Sequence, residues 1–262
     1  MSLTAKTPSS TYKDLLQVDN SNSGIDGNTR RIKDGEGTES VLSVSDDILA
    51  VQPVNDNTAS TLTVNNRSGS SLFFVNTTDN KVSALGNNVN TQYTTFSLGY
   101  TEASAFVANT HHPLTHESAN YGNATLLPNF GTSTDPATSF TTSDTNKERA
   151  SDVVPLLWYV PDAISIDSVT SIEGADDANG DTTRMHLYKF NYSNASSNVL
   201  TGGTLLAHNS DVTNAGSEQL YKSSWTVDSS DVASGSVILA FFRSYSINSD
   251  YSINVIVKYH LT

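Results

Sequence analysis

The sequence predicts an all-β fold: an extended N-terminal arm, a short β-stem and a C-terminal antiparallel β-sandwich, jelly-roll-like in its simplest form. Three observations predict it. Brief runs with apolar residues at every second position recur at roughly ten-residue spacing, separated by clusters of Asn, Asp, Ser and Gly. Charged residues make up only 16% of the chain and hydrophobic ones 36%. Ser, Thr and Asn fill the difference, and their side chains compete with a helical backbone for its own hydrogen bonds. No helix longer than two turns is predicted anywhere.

Residues 1–47 read as the arm. Its apolar anchor is Tyr12-Lys13-Asp14-Leu15-Leu16-Gln17-Val18, followed by turn formers at Asp19–Gly24 and Lys33–Gly37. Such a stretch buries too little surface to fold alone and is expected to order on a partner. Residues 1–33 carry five bases (Lys6, Lys13, Arg30, Arg31, Lys33) against three acids (Asp14, Asp19, Asp26). Residues 1–33 are therefore +2, and the rest of the chain −15, which suits docking on an acidic surface.

Residues 48–88 read as the stem. Ser40–Val44 and Ile48–Pro53 lead into Ser60–Val64, Ser71–Val75 and Lys81–Leu85, with turns at Asn55–Asn57, Asn66–Gly69 and Thr77–Asn80. Strands this short leave an apolar face that one chain cannot cover, so several copies are expected to wrap about a common axis.

Residues 89–262 read as the head, with its core in 151–262. The aromatic strand Gln92–Leu98 precedes a weakly patterned stretch holding the histidines near 111 and the polar run Gly131–Asn146. Clear strands follow at Pro155–Val160, Ala163–Val169, Arg184–Phe190, Thr204–Ala207, Leu220–Val227, Gly235–Phe242 and Tyr251–Tyr259. Val237–Phe242 is apolar on both faces and should be a central strand. Tyr251–Tyr259 alternates and should keep one face wet.

Composition also excludes. With no cysteine there is neither a disulfide framework nor a thiolate metal site, which leaves oligomerisation as the staple. A net charge of −13 argues against nucleic acid as a partner. No apolar run approaches the roughly 18 residues of a membrane span, so no membrane insertion is expected. Met1–Pro8 has no apolar h-region, and no signal peptide is expected. A protein acting outside the cell without one would be released inside a virion by lysis.

The unit Leu62-Thr63-Val64, Gly69, Leu72-Phe73-Phe74-Val75-Asn76 and Lys81-Val82 resembles a repeat of bacteriophage tail fibres and related virion appendages. Trp158–Pro161, Asp181–Leu187 and Arg243–Ser252 are similar to marine, cyanophage-like structural proteins. Together the resemblances cover about half the chain. They imply a virion location on the tail or capsid surface, a homotrimer, and an arm attached to other virion proteins through Tyr12, Leu15, Leu16, Arg30 and Arg31. The head would face outward. Receptor-binding tail fibres are usually much longer, so a head fibre, a capsid decoration protein or a tail-assembly part stays open beside a tail fibre.

Candidate sites are few. His111, His112 and His116 with Glu117 offer imidazoles for a divalent ion, although a polar loop explains them as well. Asp177, Asn179 and Asp181 place oxygen ligands two apart, as calcium loops do, yet Asn179-Gly180 is equally a hairpin turn. No nucleophile elbow, phosphate loop or zinc-helix motif is present. Asp167, Glu173 and Asp176 form the acidic pairs that any acidic β protein contains, and no catalytic residue or cofactor is assigned. Tyr188, Tyr192, Tyr221, Trp225, Tyr245 and Tyr251, flanked by Asn and Ser, suit stacking on a host surface glycan or lipopolysaccharide; filling a core is the plainer reading. The expected function is a non-enzymatic virion structural protein, a fibre-like trimeric appendage for host attachment. A purely architectural capsid decoration or tail-assembly part and a polysaccharide depolymerase are the alternatives.

Overall fold

A computed structural model describes residues 14–21, 23–117, 139–141, 153–176, 180–246 and 249–262. Their regular secondary structure is almost all strand, in four antiparallel sheets. Among them no helix is long and apolar enough to cross a membrane. The chain divides into two units, Met1–Val89 and Asn90–Thr262.

The first unit holds two single-layer sheets. β1 (Gln17–Val18), β2 (Arg30–Lys33), β3 (Glu39–Val44) and β4 (Leu49–Val51) pair in chain order, as do β5 (Leu62–Asn65), β6 (Ser71–Asn76), β7 (Lys81–Ala84) and β8 (Asn87–Asn88). β1 and β2 thus form within the segment whose composition predicts an unpaired arm, while β3 and β4 stand where Ser40–Val44 and Ile48–Pro53 read as strands. The first two were missed because Val18 and Ile32 pair across strands rather than alternating within one. Charges support the pairing: Lys33 meets Asp19 at 3.0 Å and Glu39 at 3.3 Å, and Arg31 meets Glu39 at 3.4 Å.

Register gathers a row of apolar residues on one side of the second sheet, with Leu72 and Phe74 on the other. Leu62 faces Val75 and Val64 faces Phe73, which in turn face Val82 and Ala84 on β7. Yet none of them is buried. Among the described residues of this unit the buried side chains are Ser43, Asn76 and Ser83, with no hydrophobic one.

The second unit is a sandwich. In chain order its strands are β9 (Thr91–Thr101), β10 (His112–Pro113), β11 (Thr115–His116), β12 (Ser139–Thr141), β13 (Trp158–Tyr159), β14 (Ile164–Ala175), β15 (Thr182–Tyr192), β16 (Asn198–His208), β17 (Val212–Thr213), β18 (Gln219–Ser224), β19 (Thr226–Val227), β20 (Asp231–Val232), β21 (Ser236–Ser244) and β22 (Tyr251–Leu261). One sheet runs β11-β9-β22-β14-β18 and the other β10-β21-β15-β16-β12, with β20 on β14, β13 on β21, β17 on β15 and β19 on β16. Numbering the principal strands β9, β10, β14, β15, β16, β18, β21 and β22 from 1 to 8 gives 1-8-3-6 and 2-7-4-5. That is the jelly-roll order.

Two apolar clusters hold it. Ile238, Ala240 and Phe242 of β21 point between the sheets, against Met185, Leu187, Val255 and Val257. Val237, Leu239 and Phe241 point to the opposite face and pack with Tyr188, Phe190, Leu200, Val153 and Leu156. This is why Val237–Phe242 reads as apolar on both sides. β22 alternates as expected, with Tyr251, Ile253, Val255 and Val257 buried and Ser252 and Asn254 exposed.

Some strands depart from expectation. Pro155 and Leu156 lie in a 3-10 turn and β13 starts only at Trp158, since proline brings no N–H to a ladder. β16 starts at Asn198, ahead of the expected Thr204–Ala207, and passes through Gly202-Gly203 with a shift of register against β15. Gly202 has φ +65°, and a Cβ there would meet Asn191 Nδ2 at 2.7 Å, as a bulged position beside a neighbouring side chain requires.

At one end of the sandwich a polar network joins the sheets. The Asp181 carboxylate accepts from the hydroxyls of Ser244 (3.0 Å), Ser246 (2.7 Å) and Tyr251 (2.8 Å) and from the Ser246 N–H (3.1 Å). Glu173 accepts from Thr183 at 2.8 Å, and burial, aided by the Asp181 charge, pushes its pKa up to about 7. Between its ordinary value and about 7 the folded state holds a proton that the unfolded state has released, so this group's contribution to stability falls as pH rises. The change is on the order of 3 kcal/mol. Glu173→Gln should remove that slope and be the more stable protein at pH 8 (about one unit above the shifted value), measured by urea unfolding against pH. An unchanged slope would show that Glu173 ionises in the ordinary range.

Candidate functional site

The outer face of the β9-β22-β14-β18 sheet carries a cleft in two adjoining hollows, of about 380 and 450 Å³. Register builds it. Gly174 stands between Ser252 and Leu220, so the floor has no side chain there. A Cβ on Gly174 would meet Ser252 Oγ at 2.8 Å and Leu220 Cδ2 at 3.3 Å. The pairing of β9 with β22 shifts between Tyr251 and Ile253, leaving two residues, Gly99 and Tyr100, opposite the single Ser252. Such a bulge re-aims a side chain. Here Tyr100 stands 56% exposed as one wall and Leu220, at 78%, as the other. Ser97, Ser252 and Asn254 supply hydroxyl and amide groups along the floor.

One end is acidic. Asp176, Glu218 and Asp250 line it with Gln219. Asp250 accepts the Tyr100 hydroxyl at 2.6 Å and the Ala103 N–H at 2.8 Å. The hydrogen bond to that carboxylate pushes the Tyr100 phenol up to about 12. Asp176 Oδ1 is buried with no hydrogen-bond partner. An aromatic wall, small polar floor groups and carboxylates with no lining cation suit hydroxyl donors or a cationic group and repel phosphates.

The sequence-derived candidates scatter. Tyr12 and the pair Asp177 and Asn179 lie outside the described residues. Leu15 and Leu16 are exposed, at 53% and 66%. Arg30 is ion-paired with Asp26, while Arg31 donates to the carbonyls of Ser40 and Gln52 at 3.1 Å each, so both are tied within their own sheet. Asp181, read as a calcium ligand, is fully buried and takes hydroxyl and amide donors, which occupy the lone pairs a cation would need.

The histidines are not brought together. Neighbouring strand residues face opposite ways. His111 packs against His186 at a ring distance of 5.0 Å, whereas His112 meets Phe106 at 5.5 Å. His116 lies in the other sheet, bonded to Thr94 at 2.8 Å and stacked on Trp158. Among the described residues no three or more His, Cys, Asp or Glu stand as a metal-binding group. This segment, expected to be a polar loop, is buried structure: β10 pairs with β21, β11 with β9, and Leu114 between them is fully buried.

The aromatic candidates need correcting too. Tyr188, Trp225 and Tyr251 are 4%, 8% and 1% exposed and fill cores, so they are not available to an outside ligand. Tyr221 is partly buried and accepts the Ala215 N–H at 2.9 Å. Tyr245 lies under the Arg243 guanidinium. Tyr192 meets Tyr159 edge-on beside an apolar hollow of about 440 Å³ on the other sheet's outer face, lined by Val153, Val154, Leu157, Val199 and Val237. The acidic pairs divide as well: Asp167 bonds His260 at 2.9 Å, Glu173 is interior, and Asp176 reaches the cleft. Tyr100 was missed because period two places a residue by its neighbours, and the bulge breaks that count. Gly99 was the available signal.

No protein-family model matches the chain, and no curated protein matches it. Among solved structures, a chain in a structure of infectious bursal disease virus Gx strain is similar at 10% identity, over 89% of this chain and 73% of that one, with a TM-score of 0.16. A likeness that slight carries no argument about fold or role.

Replacing Asp250 by Asn should return Tyr100 to ordinary phenol titration, because the carboxylate is the first cause of its shift. Alkaline titration followed by near-ultraviolet absorbance, with Tyr100→Phe identifying the transition, checks this. A late Tyr100 transition that survives in Asp250→Asn would contradict it.

Proposed function

We propose that this chain is a non-enzymatic structural protein of a virus particle, a fibre-like homotrimeric appendage that displays a jelly-roll head. The observation that carries the reading is the contrast between the two units. The head closes its own cores, whereas residues of the first unit align Leu62, Val64, Phe73, Val75 and Val82 on one sheet face without burying any of them. Burying such a side chain fully is worth about 1.5–3 kcal/mol, so five of them approach roughly 10 kcal/mol, comparable with the whole stability of a domain. A face of that worth calls for permanent cover. Further copies of the same chain provide it wherever the chain itself is present.

Residue resemblance to phage fibre repeats in this same sheet supports a virion appendage, and jelly rolls are a common capsid architecture, although fold alone does not fix function. The N-terminal unit would attach to other virion proteins. The head would present its acidic cleft, whose chemistry favours neutral or cationic sugars over the phosphates of lipopolysaccharide. Three heads on one axis would raise weak single contacts by about two to four orders of magnitude.

Sedimentation at micromolar concentration tests assembly: a trimer is expected, and a monomeric mass overturns the reading. Phe73→Lys combined with Val75→Lys should dissociate it. The near-ultraviolet dichroism of Trp158 and Trp225, both in the head, should stay unchanged. A glycan array with the full chain tests attachment. No binding by trimeric protein leaves an architectural part, and turnover of host polysaccharide would overturn the non-enzymatic assignment.

A further inference from the structure

We propose that the outer face of the β15-β21 pair holds a closed site for one halide-sized anion, bound by Arg243 and His186. Register places Arg243 directly opposite Arg184, and His186 opposite both Phe241 and His208. Cross-strand partners share a face, and residues two apart on one strand do too. Arg184, Arg243, His186 and His208 therefore crowd a single patch, with His111 against His186 at 5.0 Å.

The acids of the patch are engaged away from Arg243. Arg184 pairs with Asp211 at 2.7 Å and His208 with Asp228 at 2.7 Å, so the two acids are spent at its rim. Arg243 is among the most completely buried side chains of the molecule. It donates one hydrogen bond, to the Tyr245 hydroxyl, and its guanidinium lies 4.1 Å over the Tyr245 ring. Its Nε and Nη1 have no hydrogen-bond partner, and neither does Nδ1 of His186, which is 4% exposed.

A guanidinium cannot shed its proton to escape this environment. An uncompensated buried charge costs several kcal/mol, so two orphaned donors on a buried cation require a counter-charge. Burial first, then His111 and the arginines, push the His186 imidazole down to about 3, which keeps it a neutral hydrogen-bonding group beside that charge. Tyr188, Phe241 and the imidazoles pack about the patch at ring distances of 5.0 to 6.5 Å, and a monatomic anion asks the least displacement of such close-packed rings. Arg184 and His208, 28% and 31% exposed, give the way in from the rim.

The test uses the full chain in chloride and in gluconate at matched ionic strength. Chloride should raise the melting temperature with a saturating dependence on concentration, as a ligand bound only to the folded state does. Arg243→Met, which keeps the stem, should lose that dependence. Chlorine NMR gives a second readout independent of stability: the wild type should broaden the chloride line, bromide should compete, and His186→Gln should weaken the effect. Equal melting in both salts with no excess broadening would overturn the site. Broadening that persists in folded Arg243→Met would overturn the assignment to Arg243, and a response to phosphate but not chloride would overturn the halide.

Discussion

A β-sheet has two faces, and each apolar face must lie against something. The head meets this constraint on both sides of one strand. β21 carries Ile238, Ala240 and Phe242 into the space between the sheets and Val237, Leu239 and Phe241 to the far side, where Val153 and Leu156 cover them. With both faces dry, β21 gains stability from two clusters at once, and β15 and β10 pair to its edges. The first unit has the same kind of strand and no such cover. Self-association is the cover proposed above for that face, and it needs no ligand.

What was legible in the sequence follows the same division. Val237–Phe242 announces a doubly buried strand because six apolar residues in a row leave no wet face. Tyr251–Tyr259 announces the opposite, by strict alternation. Both signals are local, carried by the strand's own residues. In the sheet of β1–β4, β3 and β4 were legible but β1 and β2 were not, because Val18 and Ile32 lie in separate strands among turn formers and no single window shows their shared face. The jelly-roll order likewise comes from long-range pairing, such as β9 with β22 across most of the head.

Polar residues were read least well, and for one reason. A sequence window shows a residue's chemistry but not which face it takes or whether that face is covered. His111-His112 looked like one polar pair, yet the two adjacent positions send one ring to His186 and the other to Phe106. Asp181 looked like a ligand for a cation and is instead an acceptor for hydroxyls on β21, β22 and the turn between them. Tyr100, unremarked, becomes a cleft wall through one inserted residue.

These placements sort the head's charge by depth. Glu218 and Asp250 line a cleft on an outer face, and Asp176 reaches it with one oxygen, Oδ1, buried. The interior carboxylates answer burial differently: Glu173 by holding its proton, Asp181 by gathering donors. Arg243 has neither remedy, since guanidinium does not titrate and its Nε and Nη1 find no acceptor. One fold thus shows three responses to a buried ionisable group: neutralise it, solvate it with protein donors, or admit a counter-charge. The third is the only one left for the arginine, and it makes an acidic protein a host for an anion.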